Sequence, residues 1–139
     1  MAIHVFDIEK DGVMTPIISK DARLIVGPHN GSVTATLNYV TLQPGEQNQP
    51  HSHSESEDTI FLLAGKGKAV DFTNGKEYDI EAGCVVHIPV GIKHTIQSTG
   101  DVPMVSVGGP CPPDYDLLRL CGMDVSPQAI RGEGRILNG

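Results

Sequence analysis

The chain has 139 residues, the size of one domain that can bury a core without staples, and a formal charge of -7. That charge, with no clusters of lysine and arginine, argues against nucleic acid as a partner, and no stretch approaches the roughly 20 apolar residues of a membrane helix. The N-terminus lacks the basic start and apolar run of a signal peptide, so the expected location is cytoplasmic, where Cys84, Cys111 and Cys121 are expected as free, partly buried thiols.

Sixteen glycines and ten prolines in so short a chain favour short strands and frequent turns over long helices. Residues 1–20 are weakly patterned, and Thr15-Pro16 breaks any helix there; an edge strand or a dimer-contacting arm is expected. Ala22 to Val26 reads as a strand closed by Gly27-Pro28, and Asn30-Gly31 as a tight turn. Val33 to Leu42 alternates and is rich in β-branched residues. A histidine cluster follows, then strands from Thr59 to Leu63, Lys68 to Phe72, Glu77 to Ile80, Cys84 to Ile88, His94 to Gln97 and Met104 to Val107. Asn74-Gly75 marks a second hairpin. Eight or nine short strands with turns between them are the pattern of an all-β sandwich or barrel. Gly108 to Pro113 reads as a rigid, strand-breaking linker. Asp114 to Cys121 has an acidic cap, an apolar Leu117-Leu118-Leu120 face and a stopping Gly122, which predicts a short helix, and Ser126-Pro127 marks a second helix start.

The informative stretch is His51-Ser52-His53-Ser54-Glu55-Ser56-Glu57-Asp58. Histidines two apart point to the same side of an extended chain. With a carboxylate from Asp58 or Glu57, and His94 from a later strand, they make a ligand set for one divalent transition metal. Imidazole and carboxylate suit Fe, Ni, Zn, Mn or Cu and do not choose among them. Four protein ligands leave one or two positions open, as a catalytic site requires. A Ser-, Glu- and Asp-rich loop carrying two histidines is also what an ordinary solvated loop looks like.

Gly45, then five residues, His51-x-His53, an acid four or five positions on and Gly65 resemble the first signature motif of the cupin superfamily. Gly83, five residues, Pro89-x-Gly91, two residues and His94 resemble the second. The resemblance implies a single cupin-type jelly-roll β-barrel, to which the residues after it add a short, partly helical tail. On it the chain divides into an N-terminal arm and first strands (1–36), a barrel core with both motifs (37–107) and a Pro-rich linker and tail (108–139). It also implies a metal in the barrel mouth and a homodimer. The family acid is normally a glutamate followed by six residues and then the glycine. Counting back from Gly65 gives Asp58, while Glu57 has the usual type one place out of register; since one residue flips the face, only one of them should reach the metal. Ser98 and Cys84 replace residues common in the motifs but not usual as ligands.

Other polar residues carry weaker claims. Gln47 and Gln49 share parity with the two histidines, so either is a candidate to meet a substrate, as is Tyr39 for acid–base work. Packing is the plainer role for Tyr39. His87 is expected to be structural or exposed, and His29 exposed in a turn. Arg23 is the best anion-binding candidate, and Lys66 and Lys68 are expected to face solvent. The resemblance implies a metal-dependent enzyme acting on a small oxygen-rich molecule, of dioxygenase, decarboxylase, lyase or isomerase type. The alternatives are a small-molecule binding or storage module and a barrel that is only a dimer scaffold. The tail is expected either as a lid over the mouth or as a dimer clasp.

Overall fold

Strand β3, Leu37–Leu42, and strand β4, Glu57–Ala64, follow each other in the chain but do not pair; β9, Met104–Cys111, lies between them. This arrangement, seen in a computed structural model that describes residues 2–123, closes the fold. The remaining strands are β1 (Val13–Met14), β2 (Ala22–Val26), β5 (Lys66–Asp71), β6 (Lys76–Glu81), β7 (Val85–Ile88) and β8 (His94–Ser98). One sheet runs β1-β2-β3-β9-β4-β7 and the other β6-β5-β8, with every pairing antiparallel. The all-β architecture matches the expectation, and the second helix start at Ser126-Pro127 lies outside the described residues.

The alternation read from the sequence is what buries the core. Along β4, Asp58 and Leu62 are buried while Glu57, Thr59, Phe61 and Leu63 are exposed. Val40, Leu42, Leu62, Ala69, Ile80, Ile96 and Met104 form the apolar filling, drawn from both sheets. The Asn74-Gly75 signal falls in the β5–β6 hairpin, where Asp71 faces Lys76 and Gly75 takes a φ of +65°. The Asn30-Gly31 signal closes a short 3-10 turn over Pro28–Asn30.

Three boundaries differ from expectation. Ser32 to Thr36 are not in a strand, and β3 begins only at Leu37. The weakly patterned arm contains a single helical turn, α1 (Ile8–Asp11), capped by the Asp7 carboxylate, and then β1 as the edge strand. Most consequential, Gly108 to Cys111 continue β9 rather than forming a linker. At Gly108 β9 comes so close to β4 that an added Cβ would lie 2.0 Å from the Thr59 carbonyl oxygen, and φ is +155°. Beyond Gly108, β9 pairs with β4 alone, so the missing N–H of Pro110 costs no bond to β3.

The predicted helix is present as α2 (Tyr115–Leu120), with Asp114 as its cap. Leu118 is buried against Leu24, and Tyr115 and Met123 pack beside them. The helix lies on its own barrel, where Leu117 and Leu118 line the central cavity. Among the described residues no helix is long and apolar enough to cross a membrane.

Replacing Gly108 with alanine should destabilise the protein by about 3 kcal/mol, since neither the backbone conformation nor the space admits a Cβ. A urea midpoint within experimental error of wild type would show that β9 and β4 part easily.

Candidate metal centre

Segment 45–51 runs antiparallel to β8. Gly45 N–H donates to the Ser98 carbonyl at 2.9 Å, and Asn48 N–H to that of Ile96 at 3.0 Å. At its end His51 and His94 exchange both backbone hydrogen bonds, at 3.1 and 2.9 Å. Gln47 faces Gln97 and His51 faces His94, so four steps on one side match three on the other. The extra residue is a bulge before Pro50, and it reverses the parity of the segment. Gln47 and Gln49 therefore do not share the face of His51 and His53. Both are exposed; Gln47 accepts from the Gln97 side-chain amide at 3.0 Å. Asn48 is the residue turned into the cavity.

His51, His53, Asp58 and His94 come together so that one ligand atom from each lies within 4.8 Å of the others. Asp58 Oδ2 is 3.3 Å from His53 Nε2 and 4.0 Å from His94 Nε2. Ligands about 2.1 Å from one ion stand about 3.0–3.4 Å apart when adjacent and about 4.2 Å when opposite, so the cluster is close to a coordination shell. His53 Nε2, His94 Nε2 and Asp58 Oδ1 are buried without a hydrogen-bond partner. Buried polar atoms are seldom left unpaired, and these four side chains fit a metal ion. Glu57, the alternative acid, is on the other face of β4; it is exposed, 3.5 Å from the exposed His87. Register, not residue type, decides which acid enters the site.

Each imidazole is held at its far nitrogen. His94 Nδ1 donates to the Ile92 carbonyl at 2.8 Å, and His51 Nδ1 to that of Gln49 at 2.5 Å. Because a carbonyl only accepts, the proton of each neutral ring sits on Nδ1 and the lone pair of Nε2 is free to face the cluster. His53 Nδ1 is 2.7 Å from Asp114 Oδ2. The other oxygen of Asp114 accepts the Leu117 N–H at 3.0 Å, so one carboxylate both orients a candidate ligand and caps the roof helix. The sequence marks Asp114 only as a cap, since nothing local signals a contact 61 residues away.

Burial pushes the His51 and His94 rings below the ordinary histidine range. Burial acts on His53 too, but the Asp114 and Asp58 carboxylates outweigh it and hold that ring at about 9. The His53 hydrogen bond in turn keeps Asp114 below the usual carboxylate range.

The other candidates lie elsewhere. Tyr39 is on the face of β3 opposite Asn38, Val40 and Leu42, and it does not line the cavity. Arg23, considered for an anion, is paired with Glu9 and Asp21, each at 3.1 Å. Lys68 pairs with Glu77 at 3.2 Å, and Lys66 is exposed. His29 is not exposed as expected: its ring is folded in against the turn, both nitrogens are buried, and burial lowers its pKa. The three cysteines are free and none lines the cavity.

In metal-free protein the folded-state pKa of His53 lies above its unfolded value near 6.5. The ring's ion pairs therefore stabilise the fold fully below that value, and the contribution is lost as pH rises through about 9. Urea unfolding should show stability declining from pH 6.5 to 9.5, less steeply in Asp114→Asn; equal slopes would mean that Asp114 does not hold the proton on His53.

The family model described as the cupin domain matches residues 38–107. Oxalate decarboxylase of Bacillus subtilis is 24% identical over 96 residues, 65% of this chain and 25% of that protein. L-ectoine synthase of Rhodococcus erythropolis is 24% identical over 91 residues, 66% of this chain and 67% of that protein. A Klebsiella pneumoniae protein with a double-stranded β-helix domain superposes with a TM-score of 0.63 at 16% identity, over 81% of this chain and 92% of that one. The chain spans between a quarter and a half of the length of the first curated relatives it matches. With half of its length, and both halves of its histidine cluster, inside the matched region, the chain belongs to the cupin family.

Proposed function

We propose that this protein is a metal-dependent enzyme acting on a small, oxygen-rich organic molecule, with the metal held by His51, His53, His94 and Asp58. The observation that carries the reading is the set of buried, unpartnered nitrogen and oxygen atoms of that cluster, inside a cavity with an apolar roof. When bound, a divalent Fe, Ni, Zn, Mn or Cu ion supplies Lewis acidity toward a substrate oxygen. The decarboxylase relative has Mn(II) centres, so manganese is the first metal to offer. The hydrogen bonds at Nδ1 fix the tautomers of His51 and His94, and Asp114 is a positioning residue acting through His53. Leu24, Ile60, Leu117 and Leu118 exclude water around the substrate. Decarboxylase, dioxygenase, lyase and isomerase chemistry all lie within this reading, because a shared fold does not choose among them.

A second reading, binding without turnover, has its own support. Among the described residues lining the cavity, Asp114 is the one titratable side chain outside the cluster, and it is already engaged by His53 and Leu117. Recovering the ligand chemically altered after incubation separates the enzyme from the binder. Both readings take a small molecule, rather than nucleic acid or membrane, as the partner, in the cytoplasm.

A homodimer through the outer face of the larger sheet belongs to the same proposal. Tyr39, Val107, Phe61 and Val85 stand in one cross-strand row over β3, β9, β4 and β7. Phe61 and Val85 are 40% and 58% exposed, an apolar row of the kind that seeks a partner. Phe61→Glu should shift the mass seen by light scattering from dimer to monomer; an unchanged dimer would move the interface elsewhere.

Elemental analysis should find one transition metal near equal molarity in wild type and none in the His51→Ala/His53→Ala variant. Asp114→Asn should weaken metal binding by about 10- to 100-fold. Metal content unaffected by loss of both histidines would sink the proposal.

A further inference from the structure

Building on the metal reading, we propose that the ligand of this cavity carries one metal-binding oxygen group, an apolar body and a hydroxyl or N–H donor recognised by Asn38 or Asn48, with no second anionic group. The two asparagines are 8% and 7% exposed, and each leaves its Oδ1 buried without a hydrogen-bond partner. They reach the cavity from different parts of the barrel, Asn38 from β3 and Asn48 from the bulged segment beside β8. An amide oxygen can only accept, so this pair calls for donors. A site built to hydrogen-bond a ligand group rejects the analogue that lacks it, because its own polar atoms are then left unpaired.

The rest of the lining supplies the other two terms. Ile18, Leu24, Ile60 and Leu118 offer only carbon to a ligand. Among the described lining residues there is no lysine or arginine, while Asp58 and Asp114 are both carboxylates. One anionic group can meet the metal; a second would lie near Asp114 in an apolar setting with nothing to neutralise it. The chemistry of this cavity therefore departs from that of oxalate, the dianion in the name of the Bacillus subtilis relative. The cavity volume is about 50 Å³, so the ligand is small.

Butanoate, 4-hydroxybutanoate and succinate share a carbon chain and one carboxylate and end in methyl, hydroxyl or a second carboxylate. Their far ends are too distant for a tight chelate on the same ion. Each would be titrated into the cobalt(II)-loaded protein and followed by the cobalt absorption bands. The hydroxy acid should bind about tenfold tighter than butanoate, and succinate no tighter than butanoate. In at least one of Asn38→Leu and Asn48→Leu, with the cobalt bands retained, the hydroxyl advantage should fall below about threefold. The wild-type comparison stands by itself if a variant does not load cobalt. Equal binding of butanoate and 4-hydroxybutanoate, succinate as the tightest ligand, or an advantage that survives in both variants would overturn the inference. Absence of cobalt bands in wild type would instead overturn the metal reading on which it rests.

Discussion

The paired backbone hydrogen bonds between His51 and His94 are the constraint on which the rest of the site depends. They lock a segment with no regular strand of its own onto the end of β8, and so bring together two histidines 43 positions apart in the chain. From that point the pleat does the positioning: His53 lies two residues on from His51, and Asp58 enters on the inward face of β4. The bulge before Pro50 lets the segment change face just ahead of the cluster, presenting Asn48 on one side of it and His51 on the other.

Electrostatically the centre is asymmetric. Two of its imidazoles are kept neutral by burial, which outweighs the opposite pull of the backbone carbonyls they donate to, whereas the third sits between two carboxylates that favour its charged form. In the metal-free protein a proton on His53 thus balances part of the negative charge that Asp58 and Asp114 bring into an apolar place. A divalent cation held there would supply the same compensation more fully, and ion and proton would compete for one position. The roof takes part in this balance, because the carboxylate that holds His53 is also the cap of α2.

What could be read in advance followed local rules. Alternation located most strands, glycine turns located the hairpins, and the count back from Gly65 gave Asp58, the acid that lies beside the histidines. The failures have a common physical origin in contacts that are not local. Parity carried past Pro50 misplaced Gln47 and Gln49, because a bulge is defined by the partner strand and not by its own residues. Tyr39 was a candidate only while the facing of β3 was unknown; Asn38, its neighbour, is the inward residue. Gly108-Gly109-Pro110 looked like a break because glycine and proline usually end strands, yet here the absent side chains are what let β9 run against β4. His29 looked like an exposed loop residue, but both of its ring nitrogens are buried.

The place of β9 bears on how the molecule is made. Its neighbours, β3 and β4, emerge from the ribosome long before it, but neither can complete its side of the larger sheet until residue 111 has been synthesised. Pairing across such sequence distances is slow compared with local hairpin formation. The hairpin of β5 and β6 can form early, while β1, β2 and β3 wait with an open edge beside them. Asp114 follows three residues after β9, so the last strand to be inserted is followed at once by the group that orients His53. The carboxylate that orients His53 is thus made only after the strand that completes the larger sheet.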